Sequence, residues 1–111
     1  VRESDIETWA VEHARKQGWW VRKFKNTHRR SAPDDIFAIS GVPAFFIEFK
    51  ATGEEPTPLQ AEEHKEMRAA GLMVYVCDSR ELFCWQMSQV CYTYGLRIQS
   101  YEWDDLLAKQ K

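Results

Sequence analysis

The stretch Pro33-Asp34-Asp35-Ile36-Phe37-Ala38-Ile39-Ser40-Gly41-Val42-Pro43-Ala44-Phe45-Phe46-Ile47-Glu48-Phe49-Lys50 decides the fold. Two apolar runs flank Gly41, Val42 and Pro43, a turn-forming segment short enough for antiparallel pairing. Side chains alternate along a strand. Residues 44–50 therefore place Phe45, Ile47 and Phe49 on one face and Phe46, Glu48 and Lys50 on the other. A hairpin between 36–40 and 44–50 brings Asp34 toward Glu48. Two carboxylates and a lysine gathered near the end of a sheet have the donor types of a divalent-cation site with a cationic partner. The competing reading of the same residues is a structural ion pair of Asp34 and Glu48 with Lys50 or Arg30.

On the N-terminal side, Ser4-x-x-Glu7 matches a capping box and Gly18 is a natural stop, which predicts a helix over 5–17. Ile6, Trp9, Ala10, His13 and Ala14 fall on one face of it, with Glu7 at the border, and His13 reads as a packed histidine. Residues 19–25 read as a strand with Trp20 and Phe24 facing one way and Val21, Lys23 and Lys25 the other; its cations suit an edge position. Residues 26–32 form a basic loop that contains His28.

On the C-terminal side, Thr57-Pro58-Leu59-Gln60 combines an N-cap, a proline at the first helical position and a Thr-x-x-Gln capping box, opening a helix that ends near Ala70 before Gly71. His64 on this acidic helix is expected to face solvent. Residues 72–77 are a short apolar run suited to a buried strand. Ser79 caps a third helix running to about Tyr94, with Leu82, Trp85, Met87, Val90 and Tyr94 as its apolar surface. A last strand over 96–99 and a short helix over 103–109 complete the reading. The order is α/β: a mixed sheet with an antiparallel hairpin, flanked by helices, in which a crossover through the second helix returns 72–77 parallel to 44–50. Asp34, Glu48 and Lys50 are expected at an open edge of that sheet.

The chain's 111 residues, 44% of them hydrophobic, suffice for one domain with one core, which should hold most of the five tryptophans. No apolar run approaches the roughly 20 residues of a bilayer span, and the first residues lack an apolar signal core, so a soluble, cytoplasmic protein is expected. Cys77, Cys84 and Cys91 have no metal-ligand spacing and read as free buried thiols. The net charge of -2 argues against bulk electrostatic binding of nucleic acid. Its distribution is uneven, however: Arg15, Lys16, Arg22, Lys23, Lys25, Arg29 and Arg30 lie between His13 and Pro33 with no acidic residue among them. Arg22, Lys25, Arg29 and Arg30 are the candidate phosphate contacts, against the alternative of a solvated charged face.

Taken together, Glu7, Ala32-Pro33-Asp34, Phe46-Ile47-Glu48-Phe49-Lys50, Pro58-Leu59-Gln60 and Gly71-Leu72-Met73-Val74-Tyr75 resemble the PD-(D/E)XK nuclease superfamily. Within it the resemblance is to stand-alone virus-type replication-repair nuclease (VRR-Nuc) domains, and it covers residues 7–76. Two positions differ from the family's pattern: Ser31 stands where glycine is usual, and Asp35 where an apolar residue is common. The resemblance implies a restriction-endonuclease-like fold, a single nuclease domain over 1–111, and Mg2+- or Mn2+-dependent hydrolysis of DNA phosphodiester bonds. It implies that Asp34 and Glu48 bind the ion, joined by the Phe49 carbonyl, and that Lys50 contacts the nucleophilic water or the scissile phosphate. Glu7 and Gln60 would be supporting members, although both are also explained as helix caps.

The same resemblance implies a homodimer acting on branched DNA such as four-way (Holliday) junctions, in a bacterial or phage-infected cell. The aromatic and sulfur-rich helix after Ser79 offers an interface. Two alternatives stand beside it. One is a phage replication or repair nuclease without junction specificity; the other is a catalytically silent nucleic-acid-binding module, against which clustered carboxylates that repel DNA argue.

Overall fold

The computed structural model describes residues 1–24 and 31–96. Lys25, His28, Arg29, Arg30, the expected strand at 96–99 beyond Leu96, and the expected helix at 103–109 lie outside the described residues. The elements follow the expected order: α1 (Glu3–Lys16), β1 (Trp20–Lys23), β2 (Asp35–Ala38), β3 (Phe45–Phe49), α2 (Pro58–Ala69), β4 (Met73–Cys77) and α3 (Arg80–Thr93). They build one four-stranded sheet in the order β1-β2-β3-β4. The first two pairings are antiparallel and β3 runs parallel to β4, as the intervening helix requires. No described helix is long and apolar enough to cross a membrane.

α1 begins earlier than its sequence suggests. Its N-cap is Arg2, with no side-chain cap, so the Ser4-x-x-Glu7 capping box does not form. Arg2 instead holds Asp5 at 3.1 Å, Glu3 and Asp5 set negative charge in the first turn, and Glu7 is engaged elsewhere. The other caps form as expected. Thr57 Oγ1 accepts from the Gln60 amide at 3.2 Å while Gln60 Oε1 accepts from the Thr57 amide at 2.9 Å, and Ser79 Oγ accepts from the Leu82 amide.

The alternation in β3 sorts the layers. Phe45, Ile47 and Phe49 are fully buried in a core with Phe37, Val21, Ile6, Trp9, Ala10 and Ala14. α3 adds Phe83, Cys84, Met87, Val90 and Cys91 to the same face. Phe37 stacks on Phe45 at 5.4 Å between ring centroids, and Tyr75 meets Phe45 edge-on. α2 lies on the other face, where Arg68 donates to the Val74 carbonyl at 2.7 Å and His64 is buried. The three cysteines are buried and form no disulfide.

Three expectations are corrected. The inward face of α3 is Phe83, Cys84, Met87, Val90 and Cys91, whereas Trp85 and Tyr94 are exposed; a helix apolar nearly all round gives its period little power to choose a face. Of the described tryptophans only Trp9 is buried in the core, while Trp20 and Trp85 are exposed. Finally, β3 is an interior strand, so Glu48 and Lys50 are buried rather than placed at an open edge. Phe37→Ala should cost about 3–5 kcal/mol in urea unfolding, because it leaves a cavity between Phe45 and Phe83.

Candidate metal centre

Side chains at directly paired strand positions share a face, so the register fixes where each carboxylate goes. Asp35 pairs with Lys23 on one side and Ile47 on the other, which aims it at the α1 layer. Asp34, one residue earlier, projects the opposite way. Its Oδ2 accepts from the Phe49 amide at 2.8 Å, and its backbone carbonyl accepts from the Phe24 amide at 2.8 Å. A carboxylate thus ties the end of β3 to the start of β2. It also hydrogen-bonds Glu48, which is 2% exposed.

A third carboxylate reaches the same place. Glu3, in the first turn of α1, has an oxygen within 4.8 Å of both Asp34 and Glu48. Burial, followed by the hydrogen bond and charge of Asp34, pushes Glu48 up to about 9; Lys50 pulls the other way. Glu3 is likewise pushed up, by burial and then by Asp34. Lys50 is 8% exposed and acts electrostatically on Glu3, Glu48 and His64. His64, expected in solvent, is instead 1% exposed, its Nε2 3.5 Å from Glu48 Oε1. Burial, then the charges of Arg68 and Lys50, depress its pKa.

Glu7 is not part of this cluster. It sits one helical turn beyond Glu3 and takes the Lys23 ammonium at 2.5 Å, with Asp35 as its other hydrogen-bond partner. Burial pushes Glu7 up, but the hydrogen bonds of Asp35 and Lys23 outweigh it and hold Glu7 below its ordinary value. Asp35, 2% exposed, is pushed up to about 8 by burial and then by the hydrogen bond and charge of Glu7. Gln60 is in its capping box, its amide oxygen committed to Thr57. Arg22 lies on the edge strand β1 with its guanidinium 4.8 Å above the Trp20 ring.

No protein-family model matches the chain. A phage protein described as "Putative nuclease p44", from Acyrthosiphon pisum secondary endosymbiont phage 1, is 42% identical over 82 residues, 74% of this chain and 88% of that protein. A solved structure described as a VRR_NUC domain matches with a TM-score of 0.67 at 29% identity, covering 73% of this chain and 88% of that one. The chain belongs to the VRR-Nuc family.

VRR-Nuc membership implies a divalent ion, and the donors present fit one. Three carboxylates converge, each with an oxygen within 4.8 Å of the others, and Glu48 is buried among them. Hard oxygen donors of this kind suit Mg2+ or Mn2+. Reading the VRR-Nuc sequence alone missed two members of the neighbourhood. Glu3 was legible as the residue one turn before Glu7 on the same helix face, hidden by a cap that placed the helix start after it. His64 stood one turn after Gln60, among charged neighbours that disguised the single buried position of α2.

Protonated carboxyls that ionise only at high pH make the folded state bind more protons than the unfolded one. Stability therefore falls as pH rises between the ordinary carboxylate range and the raised values near 8 and 9. Without divalent ions, the melting temperature should decrease from pH 6 to pH 9, and Mn2+ should restore more of it at pH 9 than at pH 6. Thermal melts with and without EDTA check both.

Proposed function

We propose that this VRR-Nuc domain is a metal-dependent endodeoxyribonuclease with Glu3, Asp34 and Glu48 as the ion-binding side chains and Lys50 as the cation that meets the phosphate. The convergence of three carboxylates beside one buried lysine carries the reading. When bound, Mg2+ or Mn2+ supplies positive charge that polarises the scissile phosphate and makes water a stronger nucleophile at neutral pH.

The protein's own contribution is placement. The Phe49 amide orients Asp34, and the layered sheet holds Glu48. The Phe49 carbonyl, at the same strand end, is an additional ligand in this reading. Lys50 follows β3 directly, and its own amide is fixed to the Cys77 carbonyl at 2.9 Å, so the ammonium hangs from rigid backbone rather than from a loop. Gln60 opens the helix that carries His64 and acts through that helix.

DNA is the substrate in this reading. Arg22 on the sheet edge, with Lys25, Arg29 and Arg30 of the basic segment, contacts its backbone. Branched DNA such as the four-way junction is the preferred form, cut by a homodimer with one site per strand. Exposed Trp85 and Tyr92 on α3 support a protein interface there.

The test incubates the purified protein with labelled four-way junction, duplex and single strand, each with Mg2+, Mn2+ or EDTA. Paired symmetric nicks that need the ion are expected on the junction; binding without ion-dependent cleavage would remove the enzymatic reading, and cleavage of plain duplex at the same rate would remove the junction preference. Glu48→Gln and Glu3→Gln should abolish cleavage. Lys50→Ala should lower the rate by roughly 10²–10³-fold, with circular dichroism unchanged. Sedimentation equilibrium should return twice the chain mass.

A further inference from the structure

α2 is a solvated helix with one exception. Its single buried residue is His64, 1% exposed, while its neighbours Glu62, Lys65 and Glu66 are exposed. Taking an imidazole out of water is unfavourable unless its nitrogens find partners. The partner within reach of Nε2 is Glu48 Oε1 at 3.5 Å, itself buried and likewise without a hydrogen-bond partner among the described residues. That separation is at the long limit for an N–H···O contact, and an adjustment of a few tenths of an ångström brings it into range.

A carboxylate that holds a metal ion is ionised and can only accept, so a nitrogen that bonds to it in that state must carry the hydrogen. We propose that His64 is a positioning residue for Glu48: its Nε2–H donates to Oε1, which fixes the carboxylate and leaves the other oxygen to the cluster with Asp34 and Glu3. The inference rests on the reading of Glu48 as an ion ligand, and adds a residue outside the ligand set. Carboxylates that bind metal commonly depend on such a donor behind them. Here the donor comes from the opposite layer of the fold, so α2 is clamped to the site through one side chain. The Thr57–Gln60 capping box, one turn earlier, fixes the start of the helix that delivers it.

Mn2+ binding to the purified protein, read by isothermal titration calorimetry, tests this without relying on cleavage. His64→Leu, which keeps the bulk and removes the donor, should weaken Mn2+ by about 10–100-fold. His64→Gln, which keeps an N–H, should recover most of that loss. A residue that merely fills space would alter the melting temperature in both variants and leave Mn2+ affinity unchanged.

Tight Mn2+ binding by the wild type, matched by a folded His64→Leu variant, overturns the role of His64 alone. A wild-type protein that binds no Mn2+ overturns the metal centre itself, and this inference with it. Should His64→Leu fail to fold, nitrogen NMR of the Mg2+-loaded wild type decides. A hydrogen on His64 Nε2, with its resonance shifting on Mg2+ addition, supports the role; a bare Nε2 facing Glu48 overturns it.

Discussion

A strand with neighbours on both edges and a helical layer on each face has nowhere to put a charge in water. β3 is such a strand; it carries Glu48 among its phenylalanines, and Lys50 follows it directly. Removing an ion from water costs roughly several kcal/mol even after the surroundings relax. The local arrangement follows from meeting that cost. Burial and Asp34 push Glu48 far above the ordinary range, and Lys50 lies near enough to pull it the other way. The core needs Phe45, Ile47 and Phe49 inward, and a period of two then sends the charged residues to the opposite layer. Packing and site are two sides of the same five-residue strand.

Much of the fold was legible because its signals are local and redundant. Thr57-Pro58-x-Gln60 names a helix start by three independent means, and all three operate in the structure. The inward face of α1 was readable because its apolar residues recur at helical spacing between charged ones. Where signals were single, they misled. Ser4-x-x-Glu7 had the letters of a capping box, but a glutamate with a lysine and an aspartate beside it is worth more there than at a helix end. α3 is apolar on nearly every side, so the periodicity that ordinarily separates inside from outside had nothing to contrast.

The site shows the same division. Asp34, Glu48 and Lys50 come from one hairpin, and alternation plus a short turn brought them together on paper as in space. Which of Asp34 and Asp35 lies beside Glu48 depends on register, which sends Asp35 to Glu7 and Lys23. Glu3 and His64 arrive from helices distant in sequence. Their arrival depends on how α1 and α2 lie against the sheet, which no motif of four residues encodes. The departure at Asp35 from the family's usual apolar residue also acquires a reason: a second carboxyl can be buried there because Glu7 and Lys23 wait on the facing helix and strand.

The connection between β2 and β3 has a consequence that lies in counting rather than in chemistry. It closes with the Val42 amide on the Ile39 carbonyl at 3.0 Å and places Gly41 at a backbone φ of +87°, a conformation that favours glycine. The length of this turn sets which residue of β2 stands opposite which residue of β3. One residue more or less would invert β2, turning Phe37 out of the core and exchanging the directions of Asp34 and Asp35. A six-residue connector, 39–44, with no functional side chain of its own, therefore acts as the ruler of the site. Among diverging relatives, changes of length there should be rarer than changes of letter.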